Sequence, residues 1–162
     1  MSTAAADRAT PLPPRWVIRL IWTVHRAAYR LTGGRLGLRT PAPDRWGMLR
    51  LTTVGRRSGR RRVAIVGYIE DRGTIVVPAM NGWADPEPAW WLNLQANPEA
   101  TAELPGHAGA RAVVARAAEG DEQRRLWAAF VALGSSAFTN GNAARRTRET
   151  ALVILEPRPV AT

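Results

Sequence analysis

Thr52-Thr-Val-Gly-Arg-Arg-Ser-Gly-Arg-Arg-Arg-Val63 is the stretch from which the fold can be read. Apolar runs flank it, Met48 to Val54 and Val63 to Ile69, and both read as strands. Gly55 and Gly59 mark a tight loop between them, able to enter φ > 0. Five arginines crowd that loop: Arg56, Arg57, Arg60, Arg61 and Arg62. Exposed backbone N–H groups, the Ser58 hydroxyl and guanidinium forks would together make an anion clamp, and phosphate is the anion such forks fit best. A P-loop needs Lys-Ser/Thr after its second glycine, and a dinucleotide turn needs Gly-x-Gly-x-x-Gly; neither is present. The plainer reading is a solvated basic hairpin tip, since runs of charge are usually surface.

Composition bounds the rest. A chain of 162 residues suits one domain with a real core. It carries 23 basic and 13 acidic groups, a net charge of +10, and every basic residue is arginine. Absent lysine and abundant alanine point to a compositional bias, so the arginine count alone carries little weight. The surplus still sets up a field that attracts anionic ligands, nucleic acid or acidic lipid. Without cysteine there is no disulfide, thiolate metal site or cysteine nucleophile, and no clue to redox compartment. Met1 to Pro14 lacks the apolar core of a signal peptide, which makes the cytoplasm the expected location.

Residues 1–14 are expected to be disordered. From Arg15 to Leu31 the pattern is helical, and Thr32-Gly33-Gly34 stops it. Arg15, Arg19, Arg26 and Arg30 line one stripe; Val17, Leu20, Ile21, Val24 and Leu31 line the opposite one. Such a helix either packs on the domain or lies on acidic lipid through residues 15–31. The main domain is placed at residues 45–158. After the first two strands, Thr74 to Ala79 is a third, and a short helix follows from Pro88, a residue suited to the first helical position. Glu99 to Leu104 alternates polar and apolar residues as a half-buried strand does, and Arg111 to Ala117 returns from the turn at Pro105 to Gly109. Asp121 opens a helix with Leu126, Trp127, Phe130 and Val131 on its apolar side, and Ala151 to Leu155 is a final strand. These elements predict a mainly β, α+β architecture: a small antiparallel barrel of six strands with helices packed outside.

Catalytic side chains are scarce. His25 and His107 lack sequence neighbours that would make them a base or a ligand, no cluster has metal spacing, and no Gly-x-Ser-x-Gly elbow occurs. No protein residue is assigned a catalytic role and no metal is expected. The reactive atoms of an enzyme built this way belong to a bound cofactor.

Residues 51–63 resemble the Thr-Thr-x-Gly-Arg-x-Ser-Gly-x-x-Arg signature of the deazaflavin-dependent nitroreductase family. Met80-Asn81-Gly82, then Pro88-Ala-Trp-Trp-Leu-Asn-Leu-Gln-Ala-Asn-Pro98, then Val153-Ile-Leu-Glu-Pro157 are similar to its later segments, in order and at the right spacing. The resemblance implies a split, flavin-reductase-like β-barrel that binds coenzyme F-420, whose tail is a phosphodiester followed by glutamates. By motif position, Arg56, Arg57, Ser58 and Arg62 would hold the phosphate and glutamates of the tail, and Gly59 and Val63 fall in the same cofactor-binding set. Pro78, Ala79, Met80 and Asn81 would line the ring, with Ala89, Trp90 and Trp91 on the neighbouring helix. For both tryptophans the alternative is plain core packing.

The chain departs from that pattern over Gly134 to Thr147. Members that reduce nitro compounds carry tyrosines there, whereas this stretch has none and Phe138 is its only aromatic residue. The expectation is therefore hydride transfer between the deazaflavin and an apolar acceptor, a quinone or activated alkene rather than a compact nitro compound, with Phe138 against the substrate. A non-catalytic cofactor or lipid carrier and an FMN enzyme on the same barrel are the alternatives. Nucleic acid is not expected as a partner, because the arginines are not interleaved with stacking aromatics. The sequence gives no oligomeric state.

Overall fold

The computed structural model describes residues 24, 37–80, 86–107, 109–133 and 149–158. The chain divides into two units, residues 1–36 and 37–162. The leading segment and the helix expected over residues 15–34 fall in the first unit, outside the described residues except for Val24, which is helical and exposed.

In the second unit six strands close into an antiparallel barrel: β1 (Gly47–Val54), β2 (Arg61–Asp71), β3 (Thr74–Pro78), β4 (Glu99–Glu103), β5 (Arg111–Ala117) and β6 (Leu152–Pro157). Their order around the barrel is β1-β2-β3-β6-β5-β4, with β4 returning to pair with β1. Side chains that face each other across an antiparallel ladder share a side of the sheet. Leu49 opposite Val66 and Leu51 opposite Ala64 therefore point inward, as do Val77 opposite Val153 and Ala115 opposite Leu155. The intervening residues point out. β4, Glu-Ala-Thr-Ala-Glu, puts its alanines in and its charges out, as alternation predicts.

β6 is buried on both faces. Its inward Val153 and Leu155 belong to the barrel interior, while Leu152 and Ile154 join Ile69 and Val76 on the outer surface. Over that outer patch lies α2 (Gly120–Leu133), which contributes Leu126 and Phe130. Charge fixes its other flank: the Arg116 guanidinium donates to Glu122 at 2.7 and 3.0 Å and to Glu156 at 2.8 Å, and Arg125 donates twice to Asp71 at 2.9 Å. The Trp46 indole N–H donates to the Phe130 carbonyl at 3.1 Å and pins the end of the helix to the start of β1.

The other described helix, α1 (Ala89–Ala96), packs against β1 and β2. It contributes Trp90, Trp91 and Leu94 to the same cluster as the inward residues of the strands. Pro88 is its cap, one residue outside the first helical position, and its carbonyl accepts from the Trp91 and Leu92 N–H groups. A helix of eight residues that is apolar nearly all round is stable because it is buried, not because its backbone favours it.

The ladder registers bring the C-terminal ends of β1, β3 and β5 to the same end of the barrel as the N-terminal ends of β2, β4 and β6. That end carries the arginine loop, the turn after β3 and, through its contacts with β1 and β2, α1.

Candidate functional site: a cationic loop mounted on an aromatic helix

The loop between β1 and β2 is closed by its own backbone. The Gly55 N–H donates to the Arg60 carbonyl at 2.8 Å, and the Ser58 and Gly59 N–H groups return to the Gly55 carbonyl at 3.1 and 2.8 Å. The Arg60 N–H reaches the Ser58 hydroxyl at 3.4 Å, and the Arg56 N–H donates to Asn93 Oδ1 on α1 at 3.1 Å. From Gly55 to Arg60 only the Arg57 N–H makes no such bond, which corrects the expectation of an exposed backbone nest: the N–H groups are spent holding the loop's shape. Only Gly59 has positive φ, at 64°; Gly55 is constrained by space instead, since a Cβ there would lie 2.9 Å from Ser58 Oγ.

Anion binding is therefore left to side chains. Arg56, Arg57, Arg60, Arg61 and Arg62 are all exposed, and among the described residues none of them has a carboxylate partner. Arg50, Arg116, Arg125 and Arg158 each face a glutamate or aspartate. Arg62 leans on the Ser58 hydroxyl at 3.5 Å and, by ladder register, lies opposite inward-facing Thr53 at the rim. Five such guanidinium groups, three on the tight loop and two on the first residues of β2, make a strongly positive, bidentate surface.

At the same end of the barrel, the chain leaves β3 in a tight turn: the Met80 N–H donates to the Pro78 carbonyl at 2.7 Å, and the Ala79 N–H donates to the Ala151 carbonyl at 2.8 Å. Ala79 is fully buried in the cluster that contains Trp90 and Trp91, whose ring centroids are 6.4 Å apart. The Trp91 indole N–H is buried without a hydrogen-bond partner, an arrangement that costs about 1–3 kcal/mol when nothing accepts it. The structure thus joins Arg56, Arg57, Ser58 and Gly59 in one loop with Arg62 at the start of β2, and Ala79, Trp90 and Trp91 in one cluster, with Pro78 and Met80 on the turn after β3. Ala89 is exposed at the start of α1. Val63 stands apart on the outer face of the sheet, opposite Thr52 and 46 % exposed. Asn81 and Phe138 lie outside the described residues.

Sequence reasoning gave no role to Asn93, the residue that ties these parts together. Its side chain is buried, accepts from the Arg56 N–H and donates to Thr53 Oγ1 at 3.1 Å. The available signal was an amide between Leu92 and Leu94 in an otherwise apolar helix. Away from the site, His107 is exposed with Nδ1 3.1 Å from the Pro105 carbonyl oxygen, and no acidic or histidine cluster among the described residues could hold a metal.

A closed antiparallel barrel with an uncompensated guanidinium loop and a buried aromatic helix at one end is a cofactor-binding barrel of the flavin-reductase kind. Comparison with known proteins narrows the class. The sequence model of the F-420H(2)-dependent quinone reductase family matches residues 22–157, and the chain belongs to that family. It is 30% identical over 150 residues to an F-420H(2)-dependent quinone reductase of Mycobacterium tuberculosis, covering 89% of this chain and 97% of the relative. A solved F-420-H2-dependent reductase superposes with a TM-score of 0.57 at 24% identity, over 67% of this chain and 93% of the other. A structure described as a domain-swapped dimer superposes with a TM-score of 0.60 at 22% identity, over 85% and 99% of the two chains. Both likenesses establish the split-barrel fold.

Proposed function

We propose that this protein is an F-420-dependent oxidoreductase whose acceptor is a quinone. The observation that carries the reading is the group of five uncompensated arginines seated, through Asn93, on the helix that bears Trp90 and Trp91. The residues fit the group: an anionic tail finds arginines that, among the described residues, have no carboxylate partner, and a flat ring finds buried aromatic surface on the helix that holds the loop. On this reading Arg56, Arg57, Ser58 and Arg62 hold the tail, while Pro78 to Met80 and Ala89 to Trp91 flank the ring. When bound, the deazaflavin supplies two electrons as a hydride equivalent.

The chain's own contribution is then positioning and exclusion of water. It need not supply a nucleophile. Converting a quinone to a quinol consumes a proton as well, which water or a hydroxyl can deliver. The family match and the quinone reductase relative favour this acceptor, and the tyrosine-free stretch from Gly134 to Thr147 agrees with an apolar substrate larger than a nitro compound. Among the described residues no helix is long and apolar enough to cross a membrane; contact with acidic lipid through residues 15–31 belongs to the same proposal, because quinones are commonly lipid-soluble.

Titration with F-420 and with FMN, followed by turnover of the reduced cofactor with a quinone and with a nitroimidazole, tests the reading. Tighter binding of F-420 and faster oxidation by the quinone are expected. Equal or tighter FMN binding would overturn the cofactor assignment, and binding without turnover would make the protein a carrier.

A further inference from the structure

Asn93 sits where three elements meet. It belongs to α1, its Oδ1 accepts from the Arg56 N–H at 3.1 Å, and its Nδ2 donates to Thr53 Oγ1 at 3.1 Å. The amide's orientation follows from chemistry: a backbone N–H can only donate, so Oδ1 must face Arg56 and Nδ2 must face the hydroxyl. At 5% exposure the side chain is held within the fold, while the loop it grips is exposed.

We propose that Asn93 is the positioning residue of the arginine loop, and that its neutrality is what leaves the loop's charge available to an anionic ligand. The inference rests on the reading that this loop takes the cofactor's tail. An amide can fix the loop without adding charge. A carboxylate of the same shape could do the same mechanically: one oxygen would accept from Arg56, and the Thr53 hydroxyl could turn to donate to the other. It would also place a buried anion beneath a loop bearing several arginines, where it would offset part of the positive field that draws the ligand. An apolar side chain would instead leave the Arg56 N–H unpaired and release the loop.

Position 93 thus separates mechanics from charge, through Asn93→Leu and Asn93→Asp. In the free protein, amide hydrogen exchange at Arg56 is the first readout. Exchange should quicken at least about tenfold in Asn93→Leu, a loss of roughly one hydrogen bond, and stay near wild type in Asn93→Asp. The second readout is the ratio of dissociation constants for F-420 and for the deazaflavin chromophore lacking phosphate and glutamates. Both variants should lose about tenfold or more of the wild type's preference for the tailed cofactor, and should bind the tailless one within about threefold of wild type.

Unchanged Arg56 exchange in Asn93→Leu overturns the clamp. An Asn93→Asp variant that keeps the wild-type preference overturns the role of neutrality. Equal losses for both ligands show a general structural residue and overturn the proposal. A wild-type protein with no preference for the tailed cofactor fails earlier, and refutes the functional reading itself. Thr53→Val, which removes only the hydroxyl, should show the same pattern more weakly even if Asn93→Leu folds poorly; no change in either readout counts against the clamp.

Discussion

The two described helices of the barrel unit solve opposite problems. α2 is amphipathic, lies outside, and is held by apolar contacts beneath and ion pairs at its side. α1 is apolar nearly all round, joins the interior, and makes its polar tether through one buried amide. Removing α2's grip would expose a patch of sheet. Removing α1's grip would empty part of the interior and release the arginine loop together. The lesson is that packing and ligand binding share residues on α1 and are separate on α2.

The sharpest way to break that contrast is a matched pair of substitutions. Leu94 on α1 and Leu126 on α2 are both almost wholly buried, so alanine at either should cost about 2–5 kcal/mol. Thermal unfolding would measure the loss. Only Leu94→Ala should also weaken cofactor binding in the fraction that remains folded. Comparable weakening by Leu126→Ala would show that the helices are not separate in function.

Next in size are the loop arginines. Arg56→Ala, Arg57→Ala and Arg62→Ala should each cost about 1.5–3 kcal/mol of binding, roughly ten- to a hundredfold, and leave the melting temperature nearly unchanged because these side chains are exposed. A loss as large for a tailless deazaflavin would place the arginines' effect at the ring or on folding.

Alkali should test the interior on which α1 is seated. Burial, with a smaller contribution from Glu70, pushes the Tyr68 phenol up to about 12. Because the folded value lies above the ordinary value near 10, the stabilisation is intact below pH ~10 and is lost as pH rises toward ~12. Tyr68→Phe should flatten that alkaline limb in pH-dependent melts; an unaltered limb would assign it to other groups.

The smallest effect belongs to α2's charged flank. Arg116→Ala removes contacts to Glu122 and Glu156 that are largely solvated, and should cost about 1 kcal/mol or less, shrinking further in high salt. The Arg116 side chain holds the Glu122 carboxyl below its ordinary range, and Arg125 does the same for Asp71. Their stabilisation is present above the normal carboxylate pKa and fades as pH falls through the lowered values. The variant should therefore lose part of the acid dependence of melting without losing cofactor affinity.

The sequence made α2 easier to read than α1, and for a physical reason. Leu126 and Phe130 recur at helical spacing against polar neighbours, so the buried side of α2 is written in its periodicity. In Ala-Trp-Trp-Leu-Asn-Leu-Gln-Ala there is no polar face to name the outside, so the side chains that enter the cluster could not be read from periodicity. The strands were legible from alternation and turn residues, with ends correct to a residue or two. The arginine loop was legible as a cationic turn, but the fate of its N–H groups depended on Asn93, 37 positions after Arg56, a contact local patterns do not encode. Val63 followed the motif into the expected set, although its register turns it to the outer face.

β6 comes last in chain order among the strands, yet it lies between β3 and β5. During synthesis the first five strands can form only an open sheet, with β3 and β5 as bare edges until Leu152–Pro157 emerges. Those edges are templates for strands of other chains. Closure therefore waits until β6 has been made, and any delay or truncation before Leu152 should show itself first as aggregation during expression rather than as a folded but inactive protein.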